Sequence, residues 1–180
     1  HLERLRKASR YFAYPFDPEI LRQKIEAECQ DCEVNQDYRL RISLSKSGDI
    51  KLSRQVLTPL STSFCQAKLC LQEADLQQAF TYFKTTHRPH LSLGEQEIIY
   101  HNKSGELLET SIGNLVLKIN GKLYTPPIRL GILPGIYRQH LLERGQVEEK
   151  VLTLADLAQA EAIYGCNAVR GLYELSLEEN

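Results

Sequence analysis

The opening LERLRKASRYF repeats its apolar positions at helical spacing. Leu2, Leu5 and Phe12 share one face with Ser9, and arginines and a lysine occupy the other. Pro15 closes that element. Asp17-Pro18 then reads as a helix start, Asp as N-cap and Pro at the first helical position, with Leu21, Ile25 and Cys29 at i, i+4 and i+8 on its apolar face. The period changes to two in YRLRISLSKSGDIKL, where Tyr38, Leu40, Ile42 and Leu44 alternate with Arg39, Arg41 and Ser43. With its Ser-Gly-Asp turn this predicts a β-hairpin with one wet face.

Residues 57–63 are rich in Thr, Ser and Pro and read as a linker between two subdomains. Beyond it the pattern predicts a short strand near 68–71, a short helix over 75–80 and a strand over 97–101 that turns through Lys103-Ser104-Gly105. Strands over 115–119 and 122–124 form a hairpin about Asn120-Gly121, a type I′ turn signal. GILPGIYRQHLLERG predicts a turn, a helix from about Gly135 and a stop at Gly145. A last helix is expected over 153–162, with Thr153 and Asp156 spaced as a capping box, and YGCNAVRG as a strand end with a loop. The fold class is therefore α+β: an α+β subdomain over 1–62 and a strand-dominated one over 63–180. No succession of βα units and no GxGxxG suggests a dinucleotide sheet.

Length and composition narrow the function. A chain of 180 residues with 42% hydrophobic and 25% charged residues can build a real core. A formal net charge of -1 gives no bulk attraction to nucleic acid or anionic membrane, and no apolar run is long enough to span a bilayer. Five scattered cysteines read as reduced thiols of a cytoplasmic protein. The chain contains no Met and starts inside an amphipathic pattern, which reads as a piece of something longer.

Candidate chemistry is sparse. Cys29-x-x-Cys32 has zinc-knuckle spacing, but Cys65 and Cys70 do not supply a matching pair, and His87 and His90 lack an acidic helper, so no metal site is expected. FTYFKTTHRPH is more suggestive. Lys84 ends a run containing Phe80, Tyr82 and Phe83, a setting that would desolvate an amine and favour its neutral, nucleophilic form, against the plain alternative of a solvated surface lysine. Glu109 follows Leu107 and Leu108, so its carboxylate reads as partly buried and in need of a cation, with a surface strand glutamate as the alternative. GILPGIYR puts a helix start where free N–H groups can receive a phosphate. Arg4 could add a fork of donors, although its local pattern alone fits a solvated helix face.

Six segments occur in the order HLERL, FKTTHRP, HNKSGELLETSIGNLVL, YTPPIRLGILPGIYR, VLTLADL and NAVRG. Together they resemble the class IV (fold type IV) pyridoxal-phosphate enzymes over nearly the whole chain. KTTHRP and TPP…GILPGIYR look most like the 4-amino-4-deoxychorismate lyases, in the form often fused behind aminodeoxychorismate synthase component I. Branched-chain and D-amino acid aminotransferases are more distant relatives and supply the alternative reading, together with a truncated, non-catalytic domain of the same fold.

The resemblance implies a small α/β subdomain beside a larger barrel-like one, pyridoxal 5′-phosphate as cofactor, a small-molecule substrate (aminodeoxychorismate), a homodimer, and a fused or associated synthase. It matches Lys84 to the lysine that joins the cofactor covalently, Glu109 to the acid facing the pyridine nitrogen, and Arg4 to the arginine on the phosphate. Ile136 and Tyr137 match the pair whose N–H groups meet the phosphate, and Asn167 a polar residue near phosphate or substrate. The implied reaction has Lys84 take the proton from the carbon bearing nitrogen, after which the ring loses pyruvate and becomes 4-aminobenzoate, a folate precursor. The family usually opens with a strand pair before HLERL, which this sequence lacks, so further substrate-facing residues are expected outside it. Tyr137 stands where some relatives carry Thr.

Overall fold

The computed structural model describes residues 1–61, 65–72, 79–92, 94 and 96–178, divided into two compact units, His1–Pro59 and Leu60–Asn180. In the first unit, α1 (Leu2–Tyr11) buries Ser9, while Leu2 remains about half exposed. The Asp17 carboxylate accepts the Glu19 N–H at 2.8 Å and caps α2 (Pro18–Cys29). Leu21 is fully buried and Cys29, expected on the apolar face, is exposed. Strands β1 (Tyr38–Leu44) and β2 (Ile50–Val56) pair antiparallel from Tyr38↔Val56 to Leu44↔Ile50. Arg54 ties this hairpin to the end of α2, donating to the Glu28 carbonyl at 2.6 Å and lying over the Tyr38 ring.

The second unit is a barrel-like sheet with short helices. Its elements are β3 (Gln66–Leu71), α3 (Ala79–Tyr82), β4 (Glu97–His101), β5 (Leu107–Thr110), β6 (Asn114–Ile119) and β7 (Lys122–Thr125), followed by α4 (Ile136–Glu143), β8 (Glu148–Glu149), α5 (Leu154–Gln159), β9 (Ala162–Asn167) and β10 (Gly171–Leu177). The helix expected over 75–80 falls mostly outside the described residues. The strand order is β5-β4-β3-β10-β9-β6-β7-β8, and β5 also pairs with β6. Six strands therefore close on themselves, which removes the open edges a flat sheet would leave. Closure rests on one rung, Glu109↔Asn114. Beyond it β7 takes over from β5 alongside β6, starting at Leu117↔Tyr124.

Strand residues are buried on both sides of this sheet. Ile99, Leu107, Leu115 and Leu117 join one core cluster. Their neighbours Tyr100 and Leu108 join a second, and Val116 a third under α4 with Leu141, Val147 and Cys166. Asn120 and Gly121 both have positive φ, as the type I′ turn requires. The Thr153–Asp156 capping box forms, but α5 ends at Gln159 because Ala162 already belongs to β9, pairing with Lys118. A strand partner supplied by the barrel overrides the helical pattern there.

Candidate functional site

The site is built where the barrel closes. Thr110 to Gly113 turn the chain from β5 into β6, with the Thr110 hydroxyl donating to the Gly113 carbonyl at 3.1 Å and accepting its N–H at 3.0 Å. The fully buried Glu97 holds the turn from below, one carboxylate oxygen accepting the Ser111 hydroxyl and the Ile112 N–H at 3.0 and 3.1 Å. Gly113 is obligatory, since a Cβ would come 2.6 Å from the Cys166 carbonyl oxygen.

Across from this turn runs the segment between β7 and α4. A 3-10 turn, Ile128–Leu130, ends at Gly131 with φ +81, which directs the chain back toward β5 and β6. Leu133 is then gripped from two sides. Its N–H donates to Glu109 Oε2 at 3.3 Å, and its carbonyl accepts from Asn114 Nδ2 at 2.9 Å. Gly135 follows, packed so tightly on Asn114 that a Cβ would overlap Oδ1. It is the N-cap of α4 and no side chain caps that end, so the first-turn N–H groups, those of Ile136 and Tyr137 among them, have no intrahelical acceptor.

Glu109 is buried, as its two leucine neighbours predict, and its cation is Arg88: Nη2 lies 3.1 Å from Oε1. Burial pushes the Glu109 carboxyl up to about 7, against the opposing pull of Arg88, the Leu133 N–H and the charge of Lys84. Lys84 thus acts electrostatically on Glu109, from the loop that follows α3. It is exposed, which corrects the expectation of a desolvated amine. In the described part of α3 Thr81 is buried, and the Phe80 ring sits edge-on to His87 at 5.0 Å between centroids. In the same loop His90 Nε2 is buried without a hydrogen-bond partner among the described residues, and burial together with the Arg88 and His87 charges lowers its pKa to about 4.

Asn167 Oδ1 accepts the N–H groups of Val169 and Arg170, both at 2.9 Å, and so shapes the turn between β9 and β10. Gly171, just past that turn, faces the Tyr137 hydroxyl, which a Cβ there would meet at 3.4 Å. Lys84, Glu109, Ile136, Tyr137 and Asn167 all lie in the second unit, and Glu109 and α4 are joined through Leu133. Arg4 lies on α1 of the first unit, half-buried.

The family model described as Amino-transferase class IV matches residues 1–176. The chain belongs to that family. Its members use pyridoxal phosphate, and a structure of the same fold from Mycobacterium tuberculosis, described as a hypothetical aminotransferase and 18% identical with a TM-score of 0.70, is an α-ketoglutarate- and PMP-bound form. The aminodeoxychorismate lyase of Saccharomyces cerevisiae is 27% identical over 188 aligned residues, covering 76% of this chain and 50% of that protein. A Schizosaccharomyces pombe protein provisionally given the same name is 24% identical over 161 residues, 83% of this chain and 68% of its own length. A Mesorhizobium loti structure, provisionally called an amino-acid aminotransferase, superposes with a TM-score of 0.86 at 28% identity, covering 99% of this chain and 90% of that one.

The donor set of this class IV chain fits the cofactor. It offers a buried acid for a ring nitrogen, an uncapped helix start behind a glycine for a phosphate, and a lysine whose charge reaches that acid. Three residues of the arrangement escaped the sequence reading: Arg88, Asn114 and Leu133. Arg88 and Asn114 stand inside the recognised motifs KTTHRP and ETSIGN, so the motifs marked them, but only the folded chain reveals whom they meet.

Proposed function

We propose that this chain is the pyridoxal-phosphate-dependent part of a 4-amino-4-deoxychorismate lyase, converting that substrate to 4-aminobenzoate and pyruvate. The observation that carries the reading is the double grip on Leu133, which links the acid Glu109 to the helix start at Gly135. The yeast relatives lend the lyase its name; a small-molecule substrate, a homodimer and a fused or associated synthase rest on the family resemblance, and a cytoplasmic location on the scattered cysteines.

Bound there, the cofactor supplies an electron sink for the carbon that loses its proton. Lys84 is the residue we assign to covalent attachment and to carrying that proton at Nζ, and later to returning it to the departing pyruvate. Glu109 holds a proton at a carboxyl oxygen and presents it to the ring nitrogen. A carboxyl that titrates near 7 can serve both as donor and as anionic partner. Ile136 and Tyr137 would hold the phosphate by main-chain N–H groups at the start of α4, with Asn167 assigned beside it in the same unit.

The likeness to aminotransferases sustains a second reading, transfer of the amino group to a keto acid. The two separate in one assay. The chain, loaded with cofactor and given aminodeoxychorismate, is expected to release 4-aminobenzoate and pyruvate with no keto acid present. Product that appears only with added 2-oxoglutarate would overturn the lyase reading. The Lys84→Ala variant is expected to lose turnover, and borohydride should add the cofactor's mass to the parent chain but not to the variant.

A further inference from the structure

We infer that Arg88, four residues beyond Lys84, is the positioning residue for Glu109: its guanidinium fixes the buried carboxylate against the Leu133 N–H and sets whether Glu109 meets a ring nitrogen as an anion or as a neutral acid. The inference rests on the reading of Glu109 as the ring-nitrogen partner, and it assigns a task to a residue that no motif role covers.

Three observations carry it. First, Glu109 is buried and Arg88 is largely so, with side-chain exposures of 3% and 16%. A surface ion pair is worth little, but a buried carboxylate deprived of its cation is strongly disfavoured as an anion. Second, the two Glu109 oxygens are divided between donors: Oε1 takes Arg88 and Oε2 takes Leu133. That division fixes the plane of the carboxylate relative to the segment leading into α4. Third, Arg88 Nε is buried without a hydrogen-bond partner among the described residues. A guanidinium desolvated this far and only partly satisfied is a costly way to staple a loop, and an apolar contact would serve that purpose better.

Among the described residues, the cations that act most strongly on Glu109 are Arg88 and Lys84, from one loop. Its neighbours from the segment before α4 and from β6, the Leu133 N–H and Asn114, are neutral. Lys84 is exposed and becomes committed to the cofactor under the proposed function, so Arg88 is the cation that stays with Glu109 throughout the cycle.

The test compares the 180-residue chain with its Arg88→Lys, Arg88→Met, Glu109→Gln and Arg88→Met/Glu109→Gln variants. The Glu109 carboxyl is followed by carbon NMR of glutamate-labelled chain without cofactor, and pyridoxal phosphate affinity is measured by fluorescence from pH 6 to 9. With Arg88→Met the Glu109 resonance is expected to titrate higher by about one pH unit or more, because an opposite charge at this range moves a carboxyl by that amount. Arg88→Lys should recover most of the shift. The affinity profile should move with the resonance, and Arg88→Met should change nothing further once Glu109 is Gln. A titration that stays put in Arg88→Met, with only a lower melting temperature, would reduce Arg88 to a structural staple and overturn the inference. If the resonance shifts as expected while no variant, nor the parent, binds the cofactor, Arg88 still positions the Glu109 carboxylate, and the proposed function falls together with the task of that carboxylate at a ring nitrogen.

Discussion

Asn114 and Gly135 are fitted to one another: the amide of Asn114 occupies the space where any other residue at 135 would carry its Cβ. The same amide donates to the Leu133 carbonyl, so Asn114 both positions the segment entering α4 and demands a glycine at its cap. The helix start is therefore placed by the rung that closes the barrel.

Gly135→Ala is expected to push Asn114 away and break its bond to Leu133. Overpacking of this kind costs about 1–3 kcal/mol. Melting temperature and pyridoxal phosphate affinity should fall together, and an unchanged affinity would separate the helix start from phosphate binding.

Ile136→Pro removes one main-chain donor at the first position of α4, where a proline ring is tolerated. Gly135 is already extended, at ψ 139, as a residue before proline must be. The expected outcome is a melting temperature close to the parent's and a cofactor affinity reduced about tenfold, in keeping with one lost charge-assisted hydrogen bond. Titration with pyridoxal phosphate measures it.

Glu109 gives the fold a pH dependence of its own. Its carboxyl titrates near 7 in the folded chain against an ordinary value of 4.5. Between those values the folded state holds a proton that the unfolded state has released, so this contribution to stability is full below about 4.5 and is lost as pH rises through about 7. Urea unfolding of the cofactor-free chain at several pH values should show that decline, and Glu109→Gln should remove it.

Thr153→Ala disrupts the capping box that starts α5, where the Thr153 hydroxyl accepts the Asp156 N–H and the Asp156 carboxylate accepts the Thr153 N–H. The loss is expected near 1 kcal/mol by denaturant unfolding, with turnover unaltered.

Local chemistry determined much of this protein. The Asp17 cap, the Asn120-Gly121 turn and the Thr153 capping box are decided by groups three residues apart or fewer, so their spacing alone is enough to read them. Burial of Glu109 followed from its leucine neighbours for the same reason. The tertiary structure decided what depends on distant partners. Glu109 meets Arg88 and Leu133 from positions 21 and 24 residues away in sequence. Lys84 lies exposed despite its aromatic approach, and the Phe80 ring meets His87. The barrel closes on one rung between β5 and β6, and β9 claimed the end of a helical pattern. Periodicity and capping act over a turn of chain, whereas ion pairing in a low-dielectric interior depends on which segments the closed sheet brings face to face.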